Sequence, residues 1–349
     1  MGNLEKFVID LFIFEVTLIF IFLLVIPLHR IYLHYKKSAN DNEKKQLSQM
    51  IINCLEGKHV LPSNLPKLRD IKNLLLTLEM FEYRISGNDW EELKDKIAKI
   101  YLLPLARKKA NSSSWIKRNF SSRCFALCPI KEDQEIFLKL INDPIFLVRA
   151  PAALALARFE HKQGIVEILK QMSHETGYAH FFYRDVLLNS SKQVFELIQE
   201  IAKQEKDSSI HLACLEVLDF KAIISIPDYL LDDIRSNNEK IRWEAVKILA
   251  RNPQKKSVNI LIKCLEDPVP EIREAAILGL EYFPSNEVFS KLEYVLQDSI
   301  WPVRLRAAQT LKKMGEKGIN ILKHQSLDIN KNAYNVSQII LQNNYELYA

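Results

Sequence analysis

Glycine is scarce, with 8 residues in 349. That argues against glycine-rich phosphate loops, collagen-like repeats and most all-β architectures, which need positive φ or close backbone approach. Cysteine is sparse and odd in number: Cys54, Cys124, Cys128, Cys214 and Cys264. This is unlike a disulfide-stapled secreted framework and suits a reducing compartment. Excess charge is lacking too, since 48 basic against 43 acidic residues leave a formal net charge of +5. In a chain this long that balance does not point to nucleic acid, and no nucleic-acid partner is expected. Missing also is any Ser/His/Asp grouping, phosphate loop or acid pair in catalytic context, so neither an enzyme nor a cofactor is expected. What is present is apolar bulk: 48% hydrophobic and 26% charged residues exclude global disorder and a multi-span membrane protein. The length exceeds one ordinary core and calls for two units or a linear repeat array.

One long apolar run stands at the start. Phe7 to Leu28 (FVIDLFIFEVTLIFIFLLVIPL) holds 18 apolar residues in 22, enough for a helix to cross about 30 Å of hydrocarbon. At about −0.4 kcal/mol each they contribute roughly −7 kcal/mol, against at most about +6 for two central carboxylates. Of the two, Asp10 lies near the interface, so insertion wins. A signal peptide would show a basic start and small residues at a cleavage site, whereas His29-Arg-Ile-Tyr-Leu follows Leu28. Only Lys6 precedes the run, while Arg30, Lys36, Lys37, Lys44 and Lys45 follow it. Positive charge stays inside, which puts the amino terminus outside and everything after Leu28 in the cytoplasm, as a single-pass protein of the inner or plasma membrane. Glu15 lies about a third of the way in. Such an acid either contacts another membrane helix or is tolerated in its protonated form.

Residues 1–35 thus read as a transmembrane anchor, 36–46 (KKSANDNEKKQ) as an aperiodic polar linker, and 47–111 as a helical juxtamembrane region. Leu47, Met50, Ile51, Cys54 and Leu55 form one helical stripe, stopped at Gly57. Leu68, Ile71, Leu75, Leu78 and Ile85 form a second, closed by Gly87. Asn88 or Asp89 caps a third that carries Trp90, Leu93, Ile97 and Tyr101. From 36 to 118 there are 17 Lys+Arg against 10 Asp+Glu, and from 119 onward 29 against 30. This basic excess beside the anchor fits weak attraction to anionic lipid, at about 1 kcal/mol per well-placed cation, or simply a solvated face.

The remainder repeats every 31 residues. Asp143-Pro-Ile-Phe-Leu-Val-Arg149 with Leu156 matches Asp267-Pro-Val-Pro-Glu-Ile-Arg273 with Leu280, four periods on. One apolar position reads Val148, Ala179, Ile210, Ile241, Ile272, Val303. The next reads Arg149, His180, His211, Arg242, Arg273, Arg304. Three further on come Ala152, Tyr183, Cys214, Ala245, Ala276, Ala307, and four beyond that Leu156, Leu187, Leu218, Leu249, Leu280, Leu311. With Leu near a tenth of residues, six in register by chance is on the order of one in a million. Arg118 with Ser121 and Phe125 fits a degenerate first repeat, and Asn335 with Gln342 marks decay into a capping helix. Asp143 and Asp267 suit the cap of a first helix and the prolines after them its first turn. SVNILIKCLE (257–266) and NEVFSKLEYVLQ (286–297) supply second helices. Two such short helices cannot bury both apolar stripes alone, but stacking on neighbours does.

The pattern D-P-x3-[VI]-R-x2-A-x3-L resembles the HEAT-repeat family, in the short-period form of phycobilisome-lyase-type repeats. The resemblance implies an all-α α-solenoid over 112–328, of about six to seven helix pairs, with a cap at 329–349. It implies a binding surface, and second helices that line the concave face. It also implies that Arg118, Arg149, Arg242, Arg273 and Arg304 bond to an acid or carbonyl at the repeat junctions; Asp143, Asp267 and Asp298 recur at that period. A polyanion groove is the other reading of these arginines. His174-Glu175 with His180 departs from the helical zinc spacing, since the histidines are six apart with Gly177 between. Cys124 and Cys128 lie one turn apart with no second pair, which fits two core residues. The expected function is a membrane-anchored scaffold holding a membrane-resident protein partner, for example as accessory subunit of a glycosyltransferase making surface polysaccharide. A bilin-lyase-like enzyme on the same repeat is the alternative class.

Overall fold

The computed structural model describes residues 2–58, 61, 71–205, 207–220, 226–329 and 332–342. Among them the regular structure is helical throughout, with no strand. The chain divides into two compact units, Met1–Ala155 and Leu156–Ala349.

The first unit opens with α1 (Gly2–Leu55), 54 residues long. Residues 36–46 lie inside this helix, so the expected aperiodic linker is corrected to continuous helix. Nothing breaks the chain between Pro27 and Gly57, and Ala39, Glu43, Lys44, Lys45 and Gln46 are good helix formers. Nor is the segment wholly solvated. Asn73 Nδ2 donates to Glu43 Oε2 at 2.7 Å and to Asn40 Oδ1 at 3.3 Å, and Leu47 and Ile51 are buried. α2 (Ile71–Glu82) buries Leu74, Leu75 and Leu78. Of its expected stripe, Leu68 lies outside the described residues and Ile85 falls past the helix end. α3 (Asn88–Ile97) is capped by Gly87 rather than by Asn88 or Asp89, at a φ of 125° that a side chain would strain. A π-helical turn (Ala98–Leu102) then leads into α4 (Leu103–Lys109). Pro104 has no N–H to offer the carbonyl of Ile100, and the ladder widens there. α5 (Trp115–Leu127), α6 (Gln134–Leu140) and α7 (Phe146–Arg158) follow.

The second unit runs through α8 (Lys162–His174), α9 (Gly177–Leu188), α10 (Lys192–Gln204), α11 (Ser208–Leu218), α12 (Asp228–Asp233) and α13 (Glu239–Arg251). It ends with α14 (Val258–Cys264), α15 (Pro270–Leu280), α16 (Asn286–Val295), α17 (Trp301–Lys313), α18 (Glu316–Gln325) and α19 (Ala333–Gln342). From α5 onward first and second helices alternate along the sequence, ending with α19. In this unit each first helix packs on the next one: α9 on α11, then α13, α15 and α17. Each also packs on the second helix before it, as α14 does on α15 and α16 on α17. This is the nearest-neighbour stacking of an α-solenoid. Val148 and Leu156, at either end of the stripe in α7, are fully buried. So are Tyr183, Cys214, Ala245, Ala276 and Ala307 at the small position, while Ala179 and Ile210 are only partly covered. The helices approach closely enough that a methyl on Gly279 of α15 would sit 2.8 Å from Ala250 Cα of α13.

Candidate functional site

Each of the five repeat arginines bonds at its own helix, and Arg118, Arg242 and Arg273 also fork onto an acid. Through Nη1 each closes the turn in front of its own helix. Arg242 donates to the Ser236 carbonyl at 2.9 Å, Arg273 to that of Asp267 at 2.8 Å and Arg304 to that of Asp298 at 2.6 Å. Arg118 and Arg149 do the same in the first unit, to Ser112 and Asp143. Through Nε and Nη2, Arg118, Arg242 and Arg273 fork onto the aspartate 25 positions on. Arg242 meets Asp267 at 3.1 and 3.4 Å, Arg273 meets Asp298 at 2.8 and 2.9 Å, and Arg118 meets Asp143, with Nη2 at 3.1 Å. That aspartate also accepts from the backbone N–H two residues on, Val269 at 2.9 Å and Ile300 at 2.8 Å. One carboxylate therefore braces the turn ahead of its own first helix while neutralising the preceding repeat. The N-cap residue of α15 is Val269, not the expected Asp267, and that of α17 is Ile300. At Asp143 burial alone would raise the carboxyl pKa, but the Arg118 guanidinium and the Ile145 N–H outweigh it and hold it below the usual range. The last arginine ends the series: Ile329 stands 25 positions beyond Arg304, whose Nε is buried without a hydrogen-bond partner.

Histidines bridge differently. His180 places Nδ1 2.9 Å from the Met172 carbonyl and Nε2 2.9 Å from Glu216, so its ring has partners on both sides. His211 places Nδ1 3.0 Å from the Ala202 carbonyl and Nε2 2.9 Å from both oxygens of Asp233. Two acceptors favour a proton on each nitrogen. Burial works to lower the His211 pKa, but the Asp233 hydrogen bond and charge, with the Ala202 carbonyl and Glu205, raise it above the ordinary histidine value. A raised folded-state pKa adds stability that is complete below the unfolded value, about 6.5, and disappears as pH rises through the folded one. The thermal-stability gap between the wild-type chain and His211→Asn is therefore expected to be wider at about pH 5.5 than at about pH 9. A gap constant across that range would exclude a charged bridge.

Cys124 and Cys128 are both buried. Desolvation pushes both thiols up, with the charge of Glu79 adding at Cys124 and that of Asp95 at Cys128, where the pKa reaches about 12. Protonated thiols are poor ligands and nucleophiles. Glu15 is exposed on α1.

The exposed large hydrophobic side chains on the second unit's helices lie mostly on the first helices: Phe181, Trp243, Leu278 and, just past a helix end, Phe220 and Tyr282. On the second helices of that unit Tyr294 joins them, with Leu327 just past the end of α18, so among the described residues more of the exposed apolar side chains belong to the first helices. Cations lie over these rings. Lys247 sits 4.3 Å from the Trp243 centroid, and Arg184 lies 4.8 Å from Phe181 and 5.0 Å from Phe220. A cleft of about 460 Å³ runs between Trp243, Leu278 and Tyr282. Sequence reading by the arginine, small and leucine positions passes over Arg184. Stepping by 31 through Ala153, Leu215, Val246, Ile277 and Ala308 is the signal that picks it out.

Residues 227–312 match the family model for HEAT repeats. The repeats in that stretch are HEAT repeats. None of the curated proteins compared with the chain matches it. Among solved structures the chain is similar to the Escherichia coli protein YibA, at 15% identity over 74% of this chain and 97% of that one, with a TM-score of 0.39. It is similar to an engineered protein at 14% identity over 87% and 95%, TM-score 0.35. Human deoxyhypusine hydroxylase in complex with glycerol is similar at 12% identity over 87% and 96%, TM-score 0.29. The matched HEAT repeats hold two carboxylate forks, Arg242–Asp267 and Arg273–Asp298, and the cleft beside Trp243.

Proposed function

We propose that this chain is a non-catalytic membrane-tethered adaptor, with one helix crossing the bilayer and HEAT repeats on the cytoplasmic side presenting a surface to a membrane-resident protein. The observation that carries the reading is α1. Among the described residues it is the one helix long and apolar enough to cross a membrane, and none of its most apolar window is buried. Phe12, Phe14 and Phe20 are each more than 60% exposed. In water such a surface is costly, and in hydrocarbon it is at home. Arg30, Tyr32, Tyr35, Lys36 and Lys37 follow directly, a mixture suited to the headgroup layer. From His29 to Ser38 the same helix continues for about 15 Å before Asn40 and Glu43 engage Asn73. That unbroken rod supports a first unit held near the bilayer, its basic residues within reach of anionic lipid. Glu15 would then take a polar partner from another membrane helix. Tethering makes weak contacts with that partner effectively intramolecular, a property suited to an accessory subunit of a membrane enzyme, such as a glycosyltransferase making surface polysaccharide.

Deleting residues 1–35 keeps Leu47 and Ile51, and is expected to leave a folded helical protein that no longer sediments with membranes. Circular dichroism and flotation on a density gradient check this. Continued flotation would move the membrane attachment to the basic segment 36–118. A mature amino terminus found after residue 28 would identify the run as a cleaved signal.

A further inference from the structure

The register that defines the repeat also exposes a deviation from it. Four positions after the arginine or histidine, the first helices carry Ala153, Leu215, Val246, Ile277 and Ala308, each fully buried. At that position α9 carries Arg184. A charge facing inward is unfavourable unless it is paired, and the ladder arginines Arg118, Arg242 and Arg273 each fork onto an aspartate. Arg184 does not. Its side chain is only 25% exposed, and its nearest carboxylate is the mostly exposed Asp185, at 3.9 Å. Its Nε is buried without a hydrogen-bond partner. Its guanidinium carbon instead lies over the rings of Phe181 and Phe220, at 4.8 and 5.0 Å, and Arg251 shares the Phe220 ring at 5.3 Å. Both rings are about half exposed, at 49% and 50%. Contact with ring faces satisfies none of a guanidinium's N–H donors, the groups that grip a carboxylate with two parallel bonds.

We propose that Arg184, set over Phe181 and Phe220, is the anchor for an Asp or Glu side chain of the partner protein, flanked by apolar residues that cover the two rings. The proposal rests on the adaptor reading above and names the chemistry of the partner. Neighbouring acids do not compete for the site. Glu216 is paired with His180 at 2.9 Å, and Asp219 with Arg251 at 2.9 Å and Lys247 at 3.2 Å. The half-exposed rings favour a peptide over a bare phosphate, because a peptide brings apolar side chains to cover them. The arrangement falls in the stretch where histidines replace the ladder arginines and no Asp-Pro pair opens the first helix. Here the repeat departs from its own rule, and departures of that kind collect at functional sites.

The test uses the full chain in nanodiscs and a random dodecapeptide display library, with selected peptides re-measured by fluorescence anisotropy. Enriched peptides are expected to carry Asp or Glu between apolar residues. They are expected to lose about tenfold or more in affinity when that acid becomes Gln or when the protein carries Arg184→Leu. Arg184→Lys, which lacks the planar fork, should lose most of the binding. Because Leu is native to this register at Leu215, Arg184→Leu should melt no lower than wild type, which separates lost recognition from lost folding. Selection that yields no peptide, no excess of acids, or equal binding to Arg184→Leu overturns the proposal. So would phosphatidylglycerol vesicles that bind the wild-type repeats and not Arg184→Leu, since that assigns the arginine to lipid phosphate. Flotation of the same full chain is read separately, so failure of the tether and failure of the anchor cannot be confused.

Discussion

Leu249→Ala is expected to destabilise the repeats by about 2–5 kcal/mol, measured by denaturant or thermal unfolding. The side chain is fully buried, as are its counterparts Leu218 and Leu280 one period away on either side. Its helix, α13, packs on α11 and on α15, so the site is walled by neighbours that are themselves held in place. The lower end of the range is lost transfer free energy. The upper end is reached when the walls cannot collapse into the void, and Gly279 argues for that end. Ala250 of α13 already lies within 2.8 Å of where a Gly279 methyl would stand, leaving the helices no room to move closer. In a stack whose units touch only their neighbours, the loss should be local. Amide exchange should quicken most in α13 and its neighbours α11 and α15, and less in α18. A cost below about half a kcal/mol would mean that the leucine is not enclosed by the stack.

How far the fold could be read in advance depended on which interactions the residue pattern itself encodes. A 31-residue spacing with apolar, small and leucine positions four apart states both the helix period and the need for a stacked neighbour, so helix pairs in series follow from it. Residues 36–46 show the opposite case. Their polarity hides a helix whose contacts, Asn40 and Glu43 with Asn73, are made to α2 some thirty residues away, a pairing that periodicity does not reveal. The arginines and aspartates are each visible as recurring letters, but recurrence does not say which arginine meets which aspartate. That pairing depends on the offset between stacked helices, which sets it at 25 positions. The histidines share no single offset, since His211 reaches Asp233 at 22 positions and His180 reaches Glu216 at 36. Arg184 escaped attention for a related reason. It breaks a register that becomes informative only once the buried positions on either side of it are known.

Asp298→Ala should cost about 3–5 kcal/mol, because it removes one carboxylate that serves two repeats. Arg273 would lose both acceptors, at 2.8 and 2.9 Å, with its side chain 11% exposed, leaving a charge shut from water. The N–H of Ile300 would lose its acceptor at 2.8 Å, loosening the turn ahead of α17 by about a further 1 kcal/mol. Asp298→Asn separates the two contributions, since the amide oxygen still accepts from Ile300 while the counter-charge is gone, and should fall between Ala and wild type. Arg304→Met is the internal contrast. With Ile329 where the next aspartate would stand, Arg304 has no forked carboxylate, and its loss should cost less than that of Arg273. A double-mutant cycle of Arg273→Met with Asp298→Ala should return a coupling of a few kcal/mol. The same variants decide between a ladder and a polyanion groove. Arginines already forked onto carboxylates have few donors left for a ligand, so heparin affinity should rise when Asp298 is removed. Tight heparin binding by the wild-type repeats, lost with Arg273→Met while stability holds, would instead make these arginines the ligand site.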